Sequence, residues 1–307
     1  MSTKKRPILT VIIILGIAVL FLGTLMTIVL TFFGPSADLT FGTKIGVITI
    51  EGPIMESQSI VSQIVKFRRN KGIKAIILRI DSPGGGVGPS QEIYREVRRT
   101  IKAKRVIVSM GSLAASGGYY VAAGADKIVA SPGTITGSIG VIMQFVQLKE
   151  LLKKIGVGLE VLKSGEFKDV GSPHREMSER EKELLQELIF DIQDQFVKAV
   201  AEGRNLSVEE VQEIADGRVF SGAKAKELGL VDVLGNFQDA VDLAKKETGI
   251  EGEVTLVYPK KAGPSIWDLI LRDTTRAVYE FTIKALQTHI EYRWDGIPQS
   301  LESTTAP

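Results

Sequence analysis

Ser116 stands in "SLAASGGYY" (112–120), a hydroxyl among alanines and glycines with two tyrosines directly after it. Such a setting has two uses. The serine is the side-chain cap of a helix in a Gly/Ala-packed turn, or it is a nucleophile that a substrate backbone must approach closely. At a helix start a nucleophile gains from the positive end of the dipole and from free backbone N–H groups. These residues alone leave both uses open. A second stretch, "LRIDSPGGGVGPSQEIY" (78–94), tips the balance toward chemistry. Its Pro-Gly-Gly-Gly turn exposes successive N–H groups, which suit a phosphate or a developing oxyanion. The dinucleotide fingerprint fails, because Gly86 and Gly88 are followed by Pro89, Ser90 and Gln91 where a third glycine is required. An oxyanion site beside a serine is the better use.

A serine hydroxyl is a weak nucleophile until a base takes its proton. The chain has only two histidines, His174 and His289. His174 lies in the polar "GSPHREMS" and reads as a surface residue. Lysine serves as base where burial lowers its pKa toward about 7–8, because desolvation disfavours the ammonium. A Ser–Lys pair is therefore the chemistry available. The residues do not select the lysine: Lys163, ending a predicted strand "GLEVL" (158–162), is better placed than any loop lysine. Tyr119 and Tyr120 read as helix core, with a pocket wall as the alternative.

The elements that must hold these residues follow from hydrophobic patterning. "KIGVITIEG" (44–52), "GIKAIILRI" (72–80), "RVIVSM" (105–110) and "DKIVAS" (126–131) are β-branched and nearly continuous in apolarity, as strands buried on both faces are. Between them Ile60, Val61, Ile64 and Val65, then Ile93, Val97 and Ile101, keep helical spacing. Strand–helix alternation predicts an α/β fold with crossover units. Ser178 and Glu181 have capping-box spacing before a helical stripe of Leu184, Leu185, Leu188, Ile192, Phe196 and Val200, with Gly203 placed to end it. Ser207 and Glu210 open another helix, which Gly217 closes.

Ahead of this body, residues 7–33 carry no charge and follow Lys4, Lys5 and Arg6. About 20 apolar residues suffice to cross a bilayer as a helix. The run is too long for a signal-peptide core and lacks a clear cleavage site, so it reads as an uncleaved anchor, with cleavage after "PSA" (35–37) as the alternative. The basic cluster predicts a single-pass cell-membrane protein with a cytoplasmic N-terminus and an extracytoplasmic body. Without those three charges the formal net falls from +2 to about −1, which offers no footprint for nucleic acid. No cysteine is present, so disulfides, thiolate metal sites and a cysteine nucleophile are excluded. Neither a metal nor another cofactor is expected.

Five motifs in order, "SPGGG", "GSLAASGGYY", "TITGSIGV", "KSGEFKDVGSP" and "GRVFSGAKAKELGLVD", resemble the short form of the signal peptide peptidase A family of membrane serine proteases. The resemblance spans roughly residues 44 to 260. It implies a Clp protease/crotonase-like ββα-superhelix core, with Ser116 as nucleophile and Lys168 as general base. Ser138 would orient the lysine amine, and the N–H groups of Gly85 and Gly117 would form the oxyanion hole. It implies homo-oligomers whose sites take serine and lysine from neighbouring subunits, and hydrophobic peptide substrates including cleaved signal peptides. The expected organisation is a cytoplasmic stub, anchor and linker (1–38), a catalytic domain (39–258) and a helical C-terminal extension with a flexible tail (259–307). That extension reads as an oligomer contact, an interfacial membrane element or plain packing. The small residues of "STTAP" make self-processing of the tail conceivable. A crotonase-like acyl-thioester enzyme and a catalytically silent scaffold are the alternative functions.

Overall fold

The computed structural model describes residues 7–33, 43–259 and 290–293. The chain divides into two compact units, Met1–Phe41 and Gly42–Pro307. The first contains α1 (Pro7–Phe33), which forms over the uncharged run as expected. Among the described residues no helix is long and apolar enough to cross a membrane. On α1 the side chains are described for residues 13–27, about 22 Å of helix at 1.5 Å per residue.

The second unit is a mixed α/β body. Its first half runs β1 (Lys44–Glu51), α2 (Gln58–Arg69), β2 (Ile73–Ser82), β3 (Gly84–Gly86), α3 (Val87–Thr100), β4 (Arg105–Ala115), α4 (Gly117–Ala123) and β5 (Lys127–Ala130). The four apolar runs all become strands, and both helical spacings become helices. Next come β6 (Ile135–Gly137), β7 (Ile142–Met143), α5 (Lys149–Lys154), α6 (Glu179–Arg204) and α7 (Val208–Gln212). The chain continues through β8 (Val219–Ser221), α8 (Gly222–Glu227), β9 (Val233–Leu234), α9 (Phe237–Thr248), β10 (Thr255–Val257) and β11 (Ile290–Arg293).

The main sheet has the order β10-β1-β2-β4-β5-β9, all parallel. Its central strands are buried on both faces: Ile76, Ile77, Leu78, Ile107 and Val108 are inaccessible to solvent. One face packs α2, α3, α4 and α6 over Ile76, Leu78 and Val108; the other packs Ala240, Val241 and Ala244 of α9 over Ile77 and Ile107. β4 outruns its neighbour β5, and its last residues, Leu113–Ala115, pair instead with β6. Parallel strands end at one edge of a sheet, where open α/β folds bind ligands. The glycine turn after β2 and Ser116 after β4 therefore lie side by side, fixed by the Ser82–Ala114 pairing.

Several expectations are corrected. Residues 158–162 form no strand and are exposed, Leu162 at 93 %, because no neighbouring strand pairs with them. The stripe of α6 is buried from Ile192 onward, but Leu184 and Leu188 are 41 % and 40 % exposed. Gly203 lies inside α6, where it packs on the Ala123 carbonyl; Asn205, in the left-handed conformation, ends the helix. α7 ends at Gln212, and Gly217 instead turns back to donate to the Ile139 carbonyl (3.1 Å). The predicted helical extension and tail lie outside the described residues except for 290–293, which are extended rather than helical. His289 also lies outside them. Both capping boxes, Ser178 with Glu181 and Ser207 with Glu210, form as expected.

Candidate active site

Ser116 is the single residue between β4 and α4. Its backbone, at φ 53° and ψ −118°, occupies a region costing about 1–3 kcal/mol for a residue with a Cβ. Hydrogen bonds on both sides impose it: Ser116 N–H donates to the Gly137 carbonyl (2.8 Å), and its carbonyl accepts from Tyr120 N–H (2.8 Å). A sharp strand-to-helix turn of this kind lifts a nucleophile off the end of a sheet. The capping use is not what the hydroxyl does. Ser116 Oγ makes no cap bond, is shut off from solvent, and has no hydrogen-bond partner among the described residues. Buried polar groups are almost always paired, so an orphan hydroxyl points to a role in chemistry.

The glycine turn lies directly beside it. A Cβ on Gly84 would meet the Gly117 nitrogen at 2.7 Å, so the two backbones can be this close only without a side chain. Gly85 is wedged against Ile54, whose N–H donates to the Gly84 carbonyl (2.8 Å) while Gly86 N–H donates to the Ile54 carbonyl (2.9 Å). Ser138 follows Gly137, whose carbonyl holds Ser116. It is 6 % exposed, has φ 49°, and donates its N–H to the Arg218 carbonyl (2.8 Å). Among the described residues only Ser116, Ser138 and Asn205 are non-glycines with positive φ, and two of these three stand at this site.

The groove beside Ser116 contains a strand of the chain itself. β11 lies between β3 and β7, antiparallel to both, with Tyr292 opposite Gly85 and Glu291 opposite Ile142. The Tyr292 carbonyl oxygen rests against Gly84 and lies 3.1 Å from where a Cβ on Gly117 would be. The Tyr292 side chain is fully buried, stacked on Tyr120 (5.1 Å between centroids, 17°) and tilted on Phe196 (4.6 Å). Its hydroxyl donates to the Ile192 carbonyl (3.2 Å). Tyr94 meets Tyr120 edge-on at 5.1 Å. Each such aromatic pair adds about 0.5–1.5 kcal/mol beyond area burial. Desolvation is the main cause that pushes the Tyr94 and Tyr120 hydroxyls up to about 12. The two adjacent tyrosines thus divide the alternatives: Tyr119 is core, bonded to the Leu230 carbonyl (3.0 Å), and Tyr120 is a pocket wall.

Lys168 is not brought to Ser116 within this chain. It is exposed, in a turn held by its own N–H to the Gly165 carbonyl (3.2 Å). The turn is fastened to α6 by Arg175. That guanidinium bonds Asp169 Oδ2 through Nε (2.8 Å), Asp169 Oδ1 through Nη2 (2.7 Å) and Glu181 Oε2 through Nη1 (2.8 Å). Hydrogen bonds from Arg175 hold the Glu181 carboxyl at about 2 and the Asp169 carboxyl below the usual carboxylate range. Lys163 is a second tether, bonded to Asp169 Oδ1 (2.7 Å) and the Glu166 carbonyl (2.8 Å), which accounts for its place without a catalytic task. His174 is half-buried in the same segment.

β7 and β11 escaped the sequence reading, and Gly84 entered it only as part of the Pro-Gly-Gly-Gly turn. One signal for β11 was present: Ile290, Tyr292 and Trp294 alternate with polar residues, as on a strand. The helical spacing just before them masked it. Ser90 was missed too. Among the described residues its buried hydroxyl also lacks a partner, and it lies 2.6 Å from where a Cβ on Gly117 would be.

Comparison with known proteins matches two family models. Residues 98–251 match the model of peptidase family S49, and residues 43–134 match the Clp protease model. A Synechocystis sp. protein named as a protease is 46 % identical over 209 residues, covering 68 % of this chain and 76 % of the relative. An Enterococcus faecium protein named as a signal peptide peptidase is 41 % identical over 202 residues, 66 % of this chain and 59 % of the relative. Protease 4 of Haemophilus influenzae is 32 % identical over 275 residues, 84 % of this chain and 43 % of the relative.

Proposed function

The chain belongs to peptidase family S49 and is a serine peptidase, and we propose that it is a membrane-anchored endopeptidase working through a Ser116–Lys168 dyad. The observation that carries this reading is the extended strand beside an orphan serine, its Tyr292 carbonyl against Gly84 and Gly117. Ser116 Oγ attacks a carbonyl so held, and its proton passes to the uncharged Lys168 amine and then to the leaving nitrogen. Water activated by the same amine releases the acyl group. The N–H groups of Gly85 and Gly117 stabilise the oxyanion, and Ser138 orients the amine.

The lysine comes from a neighbouring subunit. Support for assembly is the exposed apolar surface of the segment around it: Val146, Leu151, Ile155, Leu159, Leu162 and, on α6, Phe190. Contact over this surface would also remove water from the amine, which an uncharged lysine requires. The proposed single-pass anchor, with the N-terminus in the cytoplasm, is residues 7–33, on the strength of 27 uncharged residues after a basic cluster, of which the side chains of only 13–27 are described. Hydrophobic peptides, including remnant signal peptides, are then the natural substrates, and the name of the Enterococcus relative supports that class.

A fluorophosphonate probe tests the dyad. We expect one label per chain on Ser116, rising with pH and lost in Lys168→Ala. Absence of labelling in the assembled wild type, or labelling indifferent to Lys168, overturns the reading. Stoichiometric label on Ser116 also removes the acyl-thioester alternative.

A further inference from the structure

We propose that the Ser90 hydroxyl is a further donor to the oxyanion, engaged only in the tetrahedral state, which rests on the peptidase reading above. Ser90 lies near the start of α3, the helix that the glycine turn opens, and is fully buried. A buried serine on a helix commonly satisfies its hydroxyl by donating to the carbonyl four residues back. Thr100 on the same helix does this, its Oγ1 donating to the Glu96 carbonyl (2.7 Å). Ser90 does not. Among the described residues three buried side-chain polar atoms lack a partner: Gln193 Oε1, the hydroxyl of the proposed nucleophile Ser116, and the hydroxyl of Ser90. Leaving such a group unpaired costs stability, so its place needs a reason.

The surroundings of the hydroxyl supply one. A Cβ on Gly117 would lie 2.6 Å from Ser90 Oγ, 3.1 Å from the Tyr292 carbonyl oxygen and 3.2 Å from Gly84 Cα. One small space, bare of side chains, is therefore bordered by the Ser90 hydroxyl, a peptide carbonyl and the glycine turn. The planar carbonyl takes no bond from Ser90. Attack by Ser116 lengthens that C–O bond, puts negative charge on the oxygen and carries it out of the peptide plane. A hydroxyl idle beside the planar carbonyl that then donates to the oxyanion binds the transition state more strongly than the ground state. That difference is what lowers a barrier. Ser90 keeps its proton throughout, and Lys168 remains the base.

The test compares the full chain with Ser90→Ala, both purified in detergent. It reads turnover of a fluorogenic hydrophobic peptide, binding of a peptide boronate whose adduct with Ser116 is tetrahedral, and melting temperature. In Ser90→Ala kcat should fall about 10²–10³-fold, the usual worth of one oxyanion donor, with KM unchanged. Boronate affinity should fall by a comparable factor, while binding of the cleaved peptide product stays the same. The melting temperature should hold or rise, because the substitution removes an unpaired buried hydroxyl. Wild-type kcat in Ser90→Ala overturns the proposal and leaves the peptidase reading standing. So does a lower melting temperature, or a loss of kcat with boronate affinity unchanged, since either makes the hydroxyl structural. A wild-type chain that neither turns over the peptide nor binds the boronate takes down the peptidase reading and the proposal with it.

Discussion

Two regions of the molecule carry the proposed chemistry, and they are built in opposite ways. The Ser116 region hangs from buried parallel strands, with every backbone turn pinned by hydrogen bonds of 2.8–2.9 Å to Gly137, Tyr120 and Ile54. The Lys168 region, residues 144–177, has one short helix, α5, in which no residue is buried. Its apolar side chains face outward, and its order comes from ion pairs around Arg175. The nucleophile half is complete in one chain. In the proposed dyad the base half is completed by a neighbouring subunit.

The comparison breaks most visibly at Lys168. Lys168→Ala should lower kcat by about 10²–10⁴-fold, the usual worth of a general base, with no change in melting temperature because the amine is exposed. Mixing Ser116→Ala with Lys168→Ala subunits should restore activity at about a quarter of the sites if each is shared across an interface. Failure to complement, with proven mixing, would return both residues to one chain. On the other side, Gly85→Ala should cost about 10²–10³-fold in kcat, as loss of an oxyanion donor does. Its Cβ would meet the Ile54 nitrogen at 2.6 Å and carbonyl carbon at 2.7 Å, so the turn must shift. Full activity in that variant would show that the donor lies elsewhere.

The smallest effect sharpens the description of the base half. Asp169 and Glu181 are held below their ordinary range chiefly by hydrogen bonds from Arg175, Glu181 falling from 4.5 to about 2. A depressed carboxyl stabilises the fold above its unfolded pKa and loses that contribution as pH falls through the folded value. The clamp is therefore complete above about pH 4.5 and released toward pH 2. Arg175→Gln should speed amide exchange over residues 163–172 at neutral pH and lower kcat severalfold. The gap between variant and wild type should narrow as pH is brought toward 2. Equal exchange at pH 7 would remove Arg175 from the positioning of Lys168.

Strands β1, β2, β4 and β5 were legible because continuous β-branched runs have few uses other than burial on both faces. Ser116 was legible as a candidate because small neighbours admit a substrate backbone, and the glycine turn because consecutive glycines leave N–H groups free. These are local properties, determined by residue type and spacing alone. The conformation of Ser116, its orphaned hydroxyl and the approach of Gly84 to Gly117 are different. They depend on β2 and β4 lying adjacent with Ser82 opposite Ala114, a register that no short window encodes. Strand β11 makes the same point. Its alternation is weak by itself, and only two strand edges left open, one nearly 150 and one just over 200 residues earlier, turn four residues into an ordered peptide. Pairing between distant segments is a tertiary event, and it decides which carbonyl lies against Gly84 and Gly117.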